Sequence, residues 1–124
     1  MKKRILLVED EKDLVKMVSF RLEQSGYEVT TAFDGEEGYR LAKETIPDLI
    51  LLDLMLPKMN GYKMCGLLKS DVRYKDILII IFTARAQESD RQMCQDLGAD
   101  GYVTKPFDAK ELTGKIEEVF KKRA

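Results

Sequence analysis

Six residues stand where their side chains could act together on a charged ligand. Glu9, Asp10 and Glu11 follow an apolar run at 5–8, Asp53 follows "LILL", Thr83 follows "IIIF" and Lys105 follows "GYVT". Carboxylates drawn into one poorly solvated cleft repel each other unless a cation joins them. Oxygen ligands in this number suit a hard divalent ion, and Mg²⁺ typically takes one or two carboxylates while keeping water or phosphate oxygens. A lysine at a strand end beside Pro106 reads as a cation aimed at that cleft, with a cis peptide at Lys105–Pro106 as the device that fixes the turn. Taken singly, an acid after a strand is often only a helix N-cap and a lysine is usually solvated. Asp53 lies between "LILL" and "LMLP", however, and is no ordinary surface acid.

These residues meet only if the apolar runs are strands of one parallel sheet. Runs at 5–8, 28–31, 49–52 and 77–82 read as buried strands, with "GYVT" at 101–104 as a weaker fifth. Helical spacing separates them. Leu14, Val18 and Leu22, with Met17 beside them, form one stripe before Gly26; Leu112, Ile116, Val119 and Phe120 form another, with Asp108 at the N-cap position. Less distinct helices are expected at 35–44, 61–70 and 87–97. Five βα units imply a doubly wound α/β domain with right-handed crossovers, in which ligands bind beyond the carboxyl ends of the strands.

Composition narrows the function. At 124 residues the chain reads as one domain, 1–124. Twenty-one basic against 22 acidic residues give a net charge of -1, which argues against nucleic-acid binding by this domain. Cys65 and Cys94 have no CxxC spacing and the chain has no histidine, so two thiols in a reducing cytosol are expected. No run approaches a signal peptide or a membrane span, and the expected location is the cytoplasm.

The spacings and two segments carry a resemblance. Asp10 to Asp53 is 43 residues, Asp53 to Thr83 is 30 and Thr83 to Lys105 is 22, and "DLMLPKMNG" and "GADGYVTKPF" stand as continuous motifs. Over essentially its whole length the chain resembles the receiver domain of two-component response regulators. The resemblance implies a flavodoxin-like sheet in the order 2-1-3-4-5. It implies a phosphorylation-dependent switch, a signalling domain rather than an enzyme, although it assists its own phosphorylation and dephosphorylation. Asp53 corresponds to the acceptor of a phosphoryl group from phosphohistidine on a sensor histidine kinase or a histidine phosphotransfer protein. Asp10 corresponds to a direct Mg²⁺ ligand, Glu9 to the second acid of the pair and Met55 to a backbone carbonyl ligand. Thr83 and Lys105 would contact the phosphoryl oxygens, and Tyr102 matches the switch aromatic.

The resemblance extends to winged-helix transcriptional regulators, in which charge pairs cross a dimer face; Arg91, Glu111 and Lys115 stand at such positions, which implies a phosphorylation-dependent homodimer. Gly101 departs from that pattern, since its position is often acidic there. Among rivals, a haloacid-dehalogenase-type hydrolase needs an acid where Met55 stands, and a flavin-binding flavodoxin needs a phosphate-cradling first loop where this chain has "EDEKD". The alternative that remains is a nonphosphorylated pseudo-receiver acting as a protein-binding module.

Overall fold

A computed structural model describes residues 2–123. Five strands alternate with five helices: β1 (Arg4–Val8), α1 (Lys12–Gln24), β2 (Glu28–Ala32), α2 (Gly35–Thr45), β3 (Leu49–Leu52), α3 (Gly61–Lys69), β4 (Leu78–Thr83), α4 (Glu88–Asp96), β5 (Gly101–Thr104) and α5 (Ala109–Arg123). All four pairings are parallel, and the sheet order is β2-β1-β3-β4-β5. The expected doubly wound α/β fold and its strand order are present.

Successive residues of a strand point to opposite faces, so the central strands feed two cores. Ile50 and Leu52 of β3 and Ile79 and Ile81 of β4 join Met64, Cys65 and Leu68 of α3 on one face. Leu49, Leu51, Leu78, Ile80 and Phe82 meet Val15, Val18 and Leu22 of α1 and Leu112, Ile116 and Val119 of α5 on the other. Burial on both faces explains why β3 and β4 read as unbroken apolar runs.

Three expectations are corrected. β2 is an edge strand in which only Ala32 is fully buried, and it runs one residue past 31 because Ala32 pairs with Val8. β4 begins at Leu78 and includes Thr83, because the Ile77 amide turns back to the Tyr74 carbonyl while Thr83 pairs with Thr104. On α1, Val15 is buried in the stripe with Val18 and Leu22, whereas Met17 is 58% exposed.

The helix ends follow local chemistry. The Asp34 and Asn60 side chains accept from the Glu37 and Lys63 amides at the starts of α2 and α3, and Asp108 accepts from the Glu111 amide at 2.8 Å. Gly26 and Gly98 have φ of 93° and 99° just beyond α1 and α4, the left-handed conformation glycine adopts without steric cost.

Candidate functional site

Parallel register places the carboxyl ends of β1, β3, β4 and β5 side by side, and the ladder continues one step past the strands. The Glu9 amide donates to the Ala32 carbonyl at 3.0 Å, the Asp53 amide to Val8 at 3.2 Å and the Lys105 amide to Thr83 at 2.8 Å. Glu9, Asp53, Thr83 and Lys105 are therefore held by sheet geometry rather than by loop conformation. Glu9, Asp53 and Thr83 are buried, at 2%, 5% and 0% exposure.

One carboxylate oxygen each of Glu9, Asp10 and Asp53 lies within 4.8 Å of the other two. Lys105 Nζ donates to Glu9 Oε1 and, at 3.2 Å, to Asp53 Oδ2, and it lies 4.9 Å from the centre of the Phe82 ring. The Met55 amide donates to Asp53 Oδ1 at 3.3 Å, and the Glu11 amide donates to Glu9 Oε2 at 3.0 Å. Neither acid is a plain helix cap. The N-cap of α1 is Glu11, and Asp53 is separated from α3 by a loop that ends in the capping residue Asn60.

Burial raises the Glu9 carboxyl above its ordinary pKa, the Lys105 and Glu11 hydrogen bonds oppose that rise, and the nearby Asp53 charge adds to it. Burial alone would lower the Lys105 ammonium; its bond to Glu9 and the two carboxylate charges outweigh this and raise it. Three carboxylates gather beside one ammonium that pairs with only two of them, Glu9 and Asp53, an excess of negative charge composed of hard oxygen donors. That donor set fits a divalent cation of the Mg²⁺ type.

The Lys105–Pro106 peptide is cis. Tyr102 is half-buried and its hydroxyl donates to the Arg85 carbonyl at 2.7 Å. Arg91 stacks on the Tyr102 ring at 4.7 Å and donates to Thr104 Oγ1 at 3.1 Å. Arg91, Glu111 and Lys115 line one shallow groove between α4 and α5. Lys115 pairs with Glu118 on its own helix at 3.3 Å, and no ion pair joins Arg91 to Glu111 among the described residues.

Sequence reasoning missed four residues around the site. Gly61 opens α3 directly against the backbone at Asp53, its amide donating to the Leu54 carbonyl at 2.9 Å. A methyl group there would fall 2.3 Å from the Asp53 carbonyl oxygen. Arg85, Tyr62 and Asp90 form a polar cluster beside Thr83: Tyr62 donates to Asp90 Oδ1 at 2.7 Å and Arg85 Nε to the same oxygen at 3.0 Å. Burial and the adjoining Asp90 push the Tyr62 hydroxyl up to about 12, while the Tyr62 hydrogen bond, with help from Arg85, lowers Asp90. Periodicity carries no trace of this contact, because Tyr62 and Asp90 are 28 positions apart. An acid on the buried side of a helix as polar as "ESDRQMCQD" was the one available signal.

Comparison with known proteins agrees with this geometry. The family model for the response regulator receiver domain matches residues 5–117. The transcriptional regulator RpaA of Synechocystis is 42% identical over 119 residues, covering 96% of this chain and 49% of that protein. The alkaline phosphatase synthesis regulator PhoP of Bacillus subtilis is 41% identical over 122 residues, covering 98% and 50%. The chain thus spans about half the length of the curated relatives it matches. Among solved structures, the chemotaxis response regulator CheY4 of Vibrio cholerae superposes with a TM-score of 0.90 at 30% identity, covering 96% of this chain and 99% of that one. A CheY-like receiver from Methanospirillum hungatei gives 0.92 at 29% identity, covering 98% and 96%. With its motifs, sheet order and strand-end residues in agreement with that match, this chain belongs to the response regulator receiver domain family.

Proposed function

We propose that the chain is a phosphorylation-dependent switch in which Asp53 accepts a phosphoryl group from a phosphohistidine donor in a Mg²⁺-dependent reaction. The observation that carries this reading is the buried pairing of Lys105 with both Glu9 and Asp53, with Thr83 at the end of the neighbouring strand. An Asp53 carboxylate oxygen attacks phosphorus; the new P–O bond forms as the donor's P–N bond breaks, and the bonding pair leaves with the imidazole nitrogen. Glu9, Asp10, Asp53 and the Met55 carbonyl would hold Mg²⁺, which when bound neutralises charge on the phosphoryl oxygens. Lys105 turns from Asp53 to a phosphoryl oxygen, and the Thr83 hydroxyl donates to another. Alignment and charge neutralisation are most of what phosphoryl transfer asks of a protein.

The donor would be a sensor histidine kinase or a histidine phosphotransfer protein, acting in the cytoplasm. The domain itself turns over no separate substrate. Because relatives about twice as long are transcriptional regulators, this chain is read as the receiver part of such a regulator; a net charge of -1 leaves any DNA contact to other parts. The groove of Arg91, Glu111 and Lys115 would become a weak, phosphorylation-dependent homodimer face once Tyr102 turns inward and Arg91 loses its stacking partner. A nonphosphorylated binding module would have no need of a complete set of acids, threonine and lysine.

Intact-mass analysis under mild conditions, with Mg²⁺ and a small phosphodonor, tests the assignment. The wild type should gain one phosphoryl group and Asp53→Ala none; an equal adduct on both proteins would refute it.

A further inference from the structure

The loop between β3 and α3 holds a shape that its own backbone disfavours. The Met59 amide donates to the Pro57 carbonyl at 2.8 Å, and Lys58 between them has a φ of 69°. A three-residue turn with that bond and a positive central φ is the rare, strained form. A positive φ sets the Cβ of any residue but glycine against the main chain, and the Lys58 side chain is 62% exposed, so no burial offsets the strain. Such a conformation persists only where the surrounding structure imposes it.

The start of α2 supplies that surrounding structure. Gly35, its first residue, donates its amide to the Pro57 carbonyl at 3.2 Å, and a methyl group on Gly35 would fall 1.7 Å from the Met59 carbonyl oxygen. Asp34, which caps α2 by accepting from the Glu37 amide, also pairs with Lys58 at 3.7 Å. On the strand side, buried Leu54 and Leu56 flank exposed Met55, whose amide donates to Asp53 Oδ1. The segment from Asp53 to Met59 is therefore fixed at one end by the sheet and at the other by α2, and Met55 stands between the two supports.

We propose that Gly35 is a positioning residue for the metal site: by clamping the turn at Lys58 it holds the loop that presents the Met55 carbonyl to a divalent ion. The inference rests on the reading of Met55 as a carbonyl ligand of Mg²⁺. A side-chain ligand can find an ion by rotating about its own bonds, whereas a backbone carbonyl lies in a rigid peptide plane and is aimed only by fixing the chain on both sides of it. Relaxing the turn frees the peptide planes before Pro57 to rotate, and a carbonyl that rotates away weakens the site with every acid still in place. Indirect supports of this kind typically carry about 10- to 100-fold in metal affinity.

Mg²⁺ titrations followed by amide NMR shifts test the clamp on the wild type, Gly35→Ala, Lys58→Pro, Lys58→Gly and Val119→Ala. The methyl group of the first forces α2 and the turn apart, and proline fixes φ at about −65° and abolishes the turn. Each of these two should lower Mg²⁺ affinity about tenfold. Lys58→Gly removes the same ammonium but keeps a positive φ without steric cost, so its affinity should match the wild type. Val119→Ala loosens the core on the opposite face and should match it too, because a role confined to stability does not reach the ion. If Gly35→Ala does not fold, the contrast between Lys58→Pro and Lys58→Gly decides the matter. Wild-type affinity in folded Gly35→Ala or Lys58→Pro overturns the clamp alone, as does a loss in Lys58→Gly equal to that in Lys58→Pro, or a like loss in Val119→Ala. A wild type that binds no Mg²⁺ overturns the metal reading and the clamp with it.

Discussion

Gly61→Ala should injure the site through the backbone of Asp53, the proposed nucleophile, without touching any charged group. The added Cβ would lie 2.3 Å from the Asp53 carbonyl oxygen and 2.8 Å from Leu54 Cα. Both are main-chain atoms of a segment whose side chains are buried, so no flexible group can yield. Contacts of this kind are essentially never closer than 3.0 Å, so Asp53 and the start of α3 must separate by about 0.7 Å. Overpacking of this sort costs about 1 to 3 kcal/mol, and alanine's better helix propensity returns up to about 1 kcal/mol. A net loss of about 1 to 2 kcal/mol lowers the melting temperature by roughly 4 to 8 °C in a domain of this size. A nucleophile misplaced by about 1 Å can lose about 10²-fold in rate, so a slowing of roughly tenfold or more is expected here. Thermal denaturation and the rate of phosphoryl uptake from a small donor measure the two effects. Gly114→Ala is the internal control: nothing lies within 4 Å of a methyl group there, and on α5 it should stabilise by up to about 1 kcal/mol. If Gly61→Ala melts and reacts like the wild type, the close approach does not position Asp53, and the reasoning fails.

Asp10→Ala should keep the fold, weaken Mg²⁺ binding and phosphorylation, and leave the metal-free protein at least as stable, because it relieves repulsion in the acidic trio; a titration with undiminished Mg²⁺ affinity would show that Asp10 is no ligand. Met55→Asn should shorten the lifetime of the phosphorylated form, since an amide at this position can orient an attacking water and a thioether cannot; equal decay rates for the two proteins would count against the idea. Lys105→Met leaves the buried Glu9 carboxylate without its cation, a loss of roughly 3 kcal/mol at neutral pH. Removing the lysine also removes an influence that lowers the Glu9 pKa, which already lies above 4.5. A carboxyl whose folded pKa is raised contributes stability that is fully present below the unfolded value and is lost as pH rises through the folded value. Denaturant titrations should therefore find the variant's deficit smallest near pH 4 and growing toward neutrality, whereas a deficit independent of pH would exclude Glu9 as its source.

Much of the site was legible because its residues are addressed by strand ends. An apolar run buried on both faces can only be a strand of a covered parallel sheet, and in such a sheet the residue after each run arrives at the same edge. Glu9, Asp10, Asp53, Thr83 and Lys105 could be gathered on that rule alone, from local pattern and spacing. β2 misled the same rule, because its edge position leaves half of it in water, a matter of neighbours rather than composition.

What the sequence determined by itself is whatever depends on local chemistry and period: the elements, the two-sided burial of β1, β3 and β4, the cap at Asp108 and the acids at the strand ends. Tertiary structure alone decided which of Glu9 and Asp53 the ammonium of Lys105 would engage, and it engages both. It alone set α3 so close to Asp53 that only glycine fits, and it brought Tyr62 of α3 to Asp90 of α4 across the loop that carries Arg85. The physical reason is that a period records which face a residue takes, whereas the distance between two helices is set by the packing of every side chain between them.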